Sequence, residues 1–221
     1  MDDTHPRRVA HSPRGSKDIH RSRAKVIVQQ RAANDGRSGC VVWLTGLPAS
    51  GKSTVSRALQ RELFSLGKSA CVLDGDNIRR GLNSDLGFSR NDRKENVRRI
   101  GEVAKLFADA GIICITALIS PYRVDRDRVR RMFSDGKFIE VFVNAPIKVC
   151  ERRDPKGLYA RARAGEIKEF TGVSAPYEPP VMPEIELRTD RLSVTESVEK
   201  LIKFLHLRRG KSAVGGGRNS R

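Results

Sequence analysis

Apolar runs recur along the chain, separated by segments whose apolar residues return at helical spacing. The runs are CVVWLT at 40–45, KSACVLDGD at 68–76, GIICITALIS at 111–120, FIEVFVNA at 138–145 and EIELRTD at 184–190. Near-continuous apolar character suits strands covered on both faces. The last run alternates more and suits a place nearer a sheet edge. In SRNDRKENVRRIGEVAKLFADAG, positions Val97, Ile100, Val103, Phe107 and Ala110 keep to one helical face. Ser89 with Asp92 three residues later predicts a capping box, and Gly111 supplies the stop. SVEKLIKFLHL at 197–207 predicts a closing amphipathic helix. No internal repeat is visible. Strands alternating with helices predict an α/β fold, a central parallel five-stranded sheet with helices on both faces.

Such sheets bind ligands at the carboxyl ends of their strands, so the residues after each run carry the chemistry. After the first run comes Gly46-Leu47-Pro48-Ala49-Ser50-Gly51-Lys52-Ser53-Thr54, a G-x-x-x-x-G-K-[ST] phosphate loop between strand and helix. Its glycines let successive N–H groups face a phosphate, and the helix start adds its dipole. Lys52 is placed to bridge the β and γ phosphates of a nucleoside triphosphate and Ser53 to ligate Mg²⁺. After the second run comes DGDNIRRGL. One of Asp74 and Asp76 is expected to cap the next helix; Asp76 is favoured for chemistry, as the carboxylate that orients an acceptor hydroxyl and takes its proton. After the third come Ile119, Ser120 and Pro121, a turn, a substrate contact or a phosphoryl carrier.

The stretch after the fourth run holds Arg152, Arg153, Lys156, Arg161, Arg163 and Lys168 with little apolar content. It reads as a solvated basic loop or, in a phosphotransferase, as a mobile lid that closes over the phosphates and excludes water. No N-K-x-D segment is present to read guanine, which argues against a GTPase.

Charge changes the picture at the ends. Of a formal charge of +17 over 221 residues, residues 1–37 carry nine Lys/Arg against four Asp/Glu, and residues 207–221 five against none. With few aromatics to stack bases, these basic tails read as solvated, disordered ends rather than nucleic-acid surfaces. The positive middle, residues 38–206, suits a small anionic substrate. The four cysteines are widely spaced, with no C-x-x-C, and read as reduced thiols. No run is long enough to span a membrane and no signal-peptide h-region precedes the first strand, so the chain reads as cytoplasmic.

The phosphate loop, LDGDNIRRGLN, LGFSRNDRKENVRRIGEVAKLFADAG, ISPYR and DPKGLYARARAGEIKEFTG occur together and in order. Across residues 38–206 that set resembles the adenylyl-sulfate kinase family, which phosphorylates the 3′-hydroxyl of adenosine 5′-phosphosulfate with MgATP. The resemblance implies a P-loop nucleotide kinase fold, Asp76 as catalytic carboxylate and metal neighbour, and a homodimer. It places substrate-binding residues at Asp74, Asp76, Asn77, Arg79, Phe88, Arg93, Asn96, Ile119, Ser120, Lys156 and Phe170. Phe88 and Phe170 would sandwich the adenine, and Arg79, Arg93 and Asn96 would grip the phosphosulfate end. The family's ISPY serine, here Ser120, has been assigned a phosphoserine intermediate; direct in-line transfer is the simpler alternative.

Three departures stand out. Pro48-Ala49 occupies variable loop positions, Ala160 removes a cation usual there, and Glu169 stands where glycine is usual, beside Phe170. The rival readings are a P-loop kinase of another small-molecule hydroxyl and a nucleic-acid-binding ATPase module.

Overall fold

The computed structural model describes residues 39–212, with side chains through Leu205. The readings made for 1–37 and for the end of 207–221 lie outside the described residues. Five strands form one all-parallel sheet: β1 (Cys40–Thr45), β2 (Ala70–Asp74), β3 (Ile113–Ala117), β4 (Phe138–Asn144) and β5 (Ile185–Arg188), in the spatial order β2-β3-β1-β4-β5. The alternating run is an edge strand, as its pattern predicts. The central β1 is buried from Val41 to Thr45.

The helices are α1 (Lys52–Ser65), α2 (Gly75–Ile78), α3 (Arg90–Asp109), α4 (Arg123–Arg130), α5 (Ile147–Arg153), α6 (Leu158–Arg163) and α7 (Val194–Ser212). On one face, Val55, Leu59 and Leu63 of α1 join Val198 and Leu201 of α7 over Val42, Leu44, Ile115 and Val141. On the other, Val97, Ile100, Ala104 and Ala108 of α3 and Val129 of α4 cover Val41, Trp43 and Cys114. The parity of β1 explains the division, since alternate residues of a strand point to opposite faces.

Helix α3 begins as its sequence predicts. Ser89 Oγ accepts from Asp92 N–H and the Asp92 carboxylate accepts from Ser89 N–H. Ser193 and Glu196 make the same box ahead of α7, so that helix starts three residues before the apolar pattern does. The basic stretch after β4 is not a bare loop. It folds into α5 and α6 because Cys150, Tyr159 and Ala162 form a small core with Ala145 and Phe170. Among the described residues no helix is long and apolar enough to cross a membrane, and no disulfide links the cysteines.

Candidate active site

The carboxyl ends of β1, β2 and β3 open into one cleft of about 1170 Å³, also lined by residues 153–156, 158 and 170–171. The loop after β1 turns where only glycine fits well. A Cβ on Gly46 would stand 2.4 Å from the Val143 carbonyl oxygen, and Gly51, the residue capping α1, has φ of 103°. No acidic side chain occupies the first turn of α1, so the partial positive charge of this 14-residue helix is left for an anion. Pro48, Ala49, Gly51, Lys52, Ser53 and Thr54 line the cleft; Gly46, Leu47 and Ser50 do not, and shape the loop from behind.

Lys52 folds back along this loop. Its ammonium donates to the carbonyls of Gly46 at 2.9 Å and Leu47 at 2.6 Å. Burial lowers its pKa to about 8, against the opposing pull of Cys150, Asp74 and Asp76. Both aspartates therefore lie within electrostatic reach of the phosphate-loop lysine.

The two aspartates divide their work. The Asp74 carboxylate accepts from Asp76 N–H at 3.1 Å and caps α2. That leaves the Asp76 carboxylate free of backbone duty and facing the cleft, where it is paired with the Lys156 ammonium. Lys156 belongs to the arm that follows α5. Asp154 shapes this arm by accepting from the N–H groups of Leu158, Tyr159 and Ala160 at the start of α6. Tyr159 then docks it, donating from its hydroxyl to the Pro48 carbonyl at 3.1 Å and meeting Phe170 edge-on at 5.0 Å.

The remaining sequence-predicted residues all border the cleft: Asn77, Arg79, Phe88, Arg93, Asn96, Ile119, Ser120, Lys156 and Phe170. Arg79 donates to the carbonyls of Leu86 and Gly87 and stacks on Phe88 at 4.4 Å. Arg93 reaches across, donating to Thr171 Oγ1 at 2.8 Å and the Glu169 carbonyl at 2.6 Å. Burial lowers the pKa of both guanidinium groups, helped at Arg79 by the neighbouring charge of Arg93. Two cations are thus held side by side, partly out of water, in a cleft with room for an anion. Phe88 is 61% exposed and Phe170 only 8%, so one ring is open to a partner while the other is packed against the arm.

Ser120 is buried at the tip of β3 with φ of 38°, a left-handed backbone uncommon for a residue with a Cβ. Its Oγ accepts from Trp43 Nε1 at 3.2 Å and its carbonyl from Arg126 at 2.7 Å. Arg126, fully buried, is itself fixed by Glu140 at 2.6 Å.

Sequence reasoning missed Arg126, Tyr159 and Thr189. Thr189 follows β5, donates to the Ser50 carbonyl at 2.7 Å and lines the cleft. Reading the residues after the last strand as closely as those after the others would have found it. Nothing in the pattern of α4 marks Arg126 as the basic residue that turns inward.

A family model described as adenylylsulphate kinase matches residues 38–188. A probable adenylyl-sulfate kinase from Halalkalibacterium halodurans is 59% identical over 183 residues, covering 83% of this chain and 91% of the relative. The solved structure of the Mycobacterium tuberculosis APS kinase CysC in complex with AMPPNP and APS matches with a TM-score of 0.74 at 49% identity, over 77% of this chain and 99% of that one. A Sinorhizobium meliloti gluconokinase, at 17% identity, a TM-score of 0.54 and coverage of 82% of this chain and 99% of its own, is alike in fold alone.

Proposed function

We propose that this chain, which belongs to the adenylyl-sulfate kinase family, transfers the γ-phosphate of ATP to the 3′-hydroxyl of adenosine 5′-phosphosulfate, giving 3′-phosphoadenylyl sulfate and ADP. The observation that carries the reading is the pairing, in one cleft, of a phosphate loop with a carboxylate that caps no helix, Asp76, held by Lys156 of the arm, and an acceptor wall of Arg79, Arg93 and Phe88. A nucleotide triphosphate fits the loop: a close-packed Gly46, a Gly51 turned to positive φ, an unopposed helix start and a buried lysine are its complements. Among the described residues no cluster of three or more His, Cys, Asp or Glu could cage a metal. Mg²⁺ therefore fits as an ion carried in by the phosphates, with the Ser53 hydroxyl as its protein ligand and Asp76 close by. When bound, Mg²⁺ neutralises charge building on the phosphate oxygens.

The residues then take the following parts. Lys52 leaves its two carbonyl partners for the β and γ phosphates. The acceptor's adenine lies against Phe88 and Phe170, and Arg79, Arg93 and Asn96 hold its phosphosulfate. Its 3′-hydroxyl displaces Lys156 from Asp76, which orients the hydroxyl and receives its proton as the phosphoryl group arrives. Lys156, released toward the transferred group, adds positive charge there, and the docked arm acts as a lid that keeps water out. Direct in-line transfer is supported over a phosphoserine route because Ser120 Oγ is buried and engaged by Trp43. Family resemblance supports a homodimer, and thiols without disulfides support a reducing, cytoplasmic setting.

Asp76→Asn tests the assignment. Its turnover is expected to fall by at least about a hundredfold with ATP KM changed less than threefold, since the phosphate cradle stays intact. A fall of less than about tenfold in steady-state ADP release rules Asp76 out as the base.

A further inference from the structure

Asn83 lies in the turn after α2 with its side chain fully buried. Its N–H donates to the Ile78 carbonyl at 3.0 Å, and its own carbonyl accepts from Leu86 N–H at 3.2 Å, so the backbone is fixed on both sides. Its Nδ2 donates to Asn96 Oδ1 at 3.0 Å, while its Oδ1 is buried with no hydrogen-bond partner among the described residues. A partnerless amide oxygen is a cost that leucine, close to asparagine in shape, would not incur. The polar side chain here needs a reason other than packing.

Asn96, on α3, supplies the reason. It lines the cleft, and an amide can present either end to a ligand: an oxygen that accepts or an NH₂ that donates. With Oδ1 taken by Asn83, the end left for the cleft is Nδ2, which has no protein partner among the described residues. Turned the other way, Asn96 would show an oxygen to an anionic ligand and Asn83 would bury an NH₂ with nothing to bond. Buried N–H groups without partners are rarer than under-used carbonyls, so the observed orientation is the less costly one.

We infer that Asn83 is a positioning residue that sets acceptor selectivity by locking the Asn96 amide with its N–H end toward the cleft. The site then selects, at that point, for oxygen atoms with free lone pairs, as on a phosphosulfate or ribose, and against donors. The inference rests on the acceptor assigned above.

Steady-state kinetics of the full chain with ATP and adenosine 5′-phosphosulfate test it, using Asn83→Leu, Asn96→Leu and the double variant. Asn83→Leu is expected to raise acceptor KM about tenfold, the effect of one hydrogen bond to a charged group, with ATP KM within about twofold of wild type. In the Asn96→Leu background the same change is expected to add less than about twofold, because its route runs through Asn96. Asn83→Ser, too short to reach Asn96 and unable to clash, is expected to repeat the pattern with a cooperative melting transition. An unchanged acceptor KM, equal rises in both KM values or full additivity in the double variant overturns the inference alone. A wild-type chain with no turnover on adenosine 5′-phosphosulfate overturns the acceptor assignment and the inference with it.

Discussion

At Lys52, the loop carbonyls of Gly46 and Leu47 receive the ammonium while burial lowers its pKa to about 8 from the ordinary 10.5. Because the folded value is depressed, holding Lys52 charged costs stability below pH 8, a cost that fades as pH rises toward 10.5. A bound triphosphate acts in the opposite direction and favours the ammonium. Nucleotide binding is therefore expected to take up protons above pH 8, with affinity falling toward tenfold per pH unit across that window. Calorimetry at pH 8.5 in buffers of different ionisation enthalpy measures the uptake; heats independent of buffer contradict it. The sequence showed that a lysine belongs in this loop, through the spacing of Gly46, Gly51 and Ser53. It could not show the pKa, which depends on how deeply folding buries the ammonium and how close it brings Cys150, Asp74 and Asp76, which oppose the shift. Likewise DGD announced a pair of carboxylates, one for capping. Only the Asp74–Asp76 N–H bond says which is left for chemistry.

Among the elements, the arm between α5 and the residues around Phe170 departs furthest from its reading. Its charge suggested a loop, and the few apolar residues Tyr159, Ala162 and Phe170 were too sparse to signal helix, yet they suffice to fold it onto the phosphate loop. Glu169 in this arm adopts φ of 55°, the left-handed region where glycine is at ease. The residue that stood out in sequence thus stands at a position whose backbone favours glycine. Its carboxylate also lies near enough to raise the pKa of Arg93, one of the cations proposed to hold the acceptor. Glu169→Gly is expected to relieve about 1 kcal/mol of backbone strain, partly offset by the greater freedom of glycine in the unfolded chain. Acceptor KM is expected to fall several-fold as Arg93 loses its neighbouring acid. Thermal melting and acceptor titration check the two effects separately; a lower Tm together with a higher acceptor KM contradicts both.

For the whole molecule, the strand-by-strand reading carried most of the fold. Five apolar runs became five parallel strands, the alternating one sits at an edge, and the cleft opens where the strands end. What stayed hidden was long-range: the strand order, and the buried Arg126–Glu140 pair that joins α4 to β4 and holds the Ser120 carbonyl. Neither residue carries a local signal, because each is buried only by virtue of a partner brought from elsewhere in the chain. The cleft as a unit is proposed to combine a donor half and an acceptor half, and the central claim is the identity of the acceptor. The most direct measurement is ADP release in a coupled assay with ATP and Mg²⁺, with and without adenosine 5′-phosphosulfate. Release is expected to rise far above the ATP-only background and to saturate with the phosphosulfate, one ADP for each 3′-phosphorylated product. Release that stays at the ATP-only level when adenosine 5′-phosphosulfate is added would contradict the account.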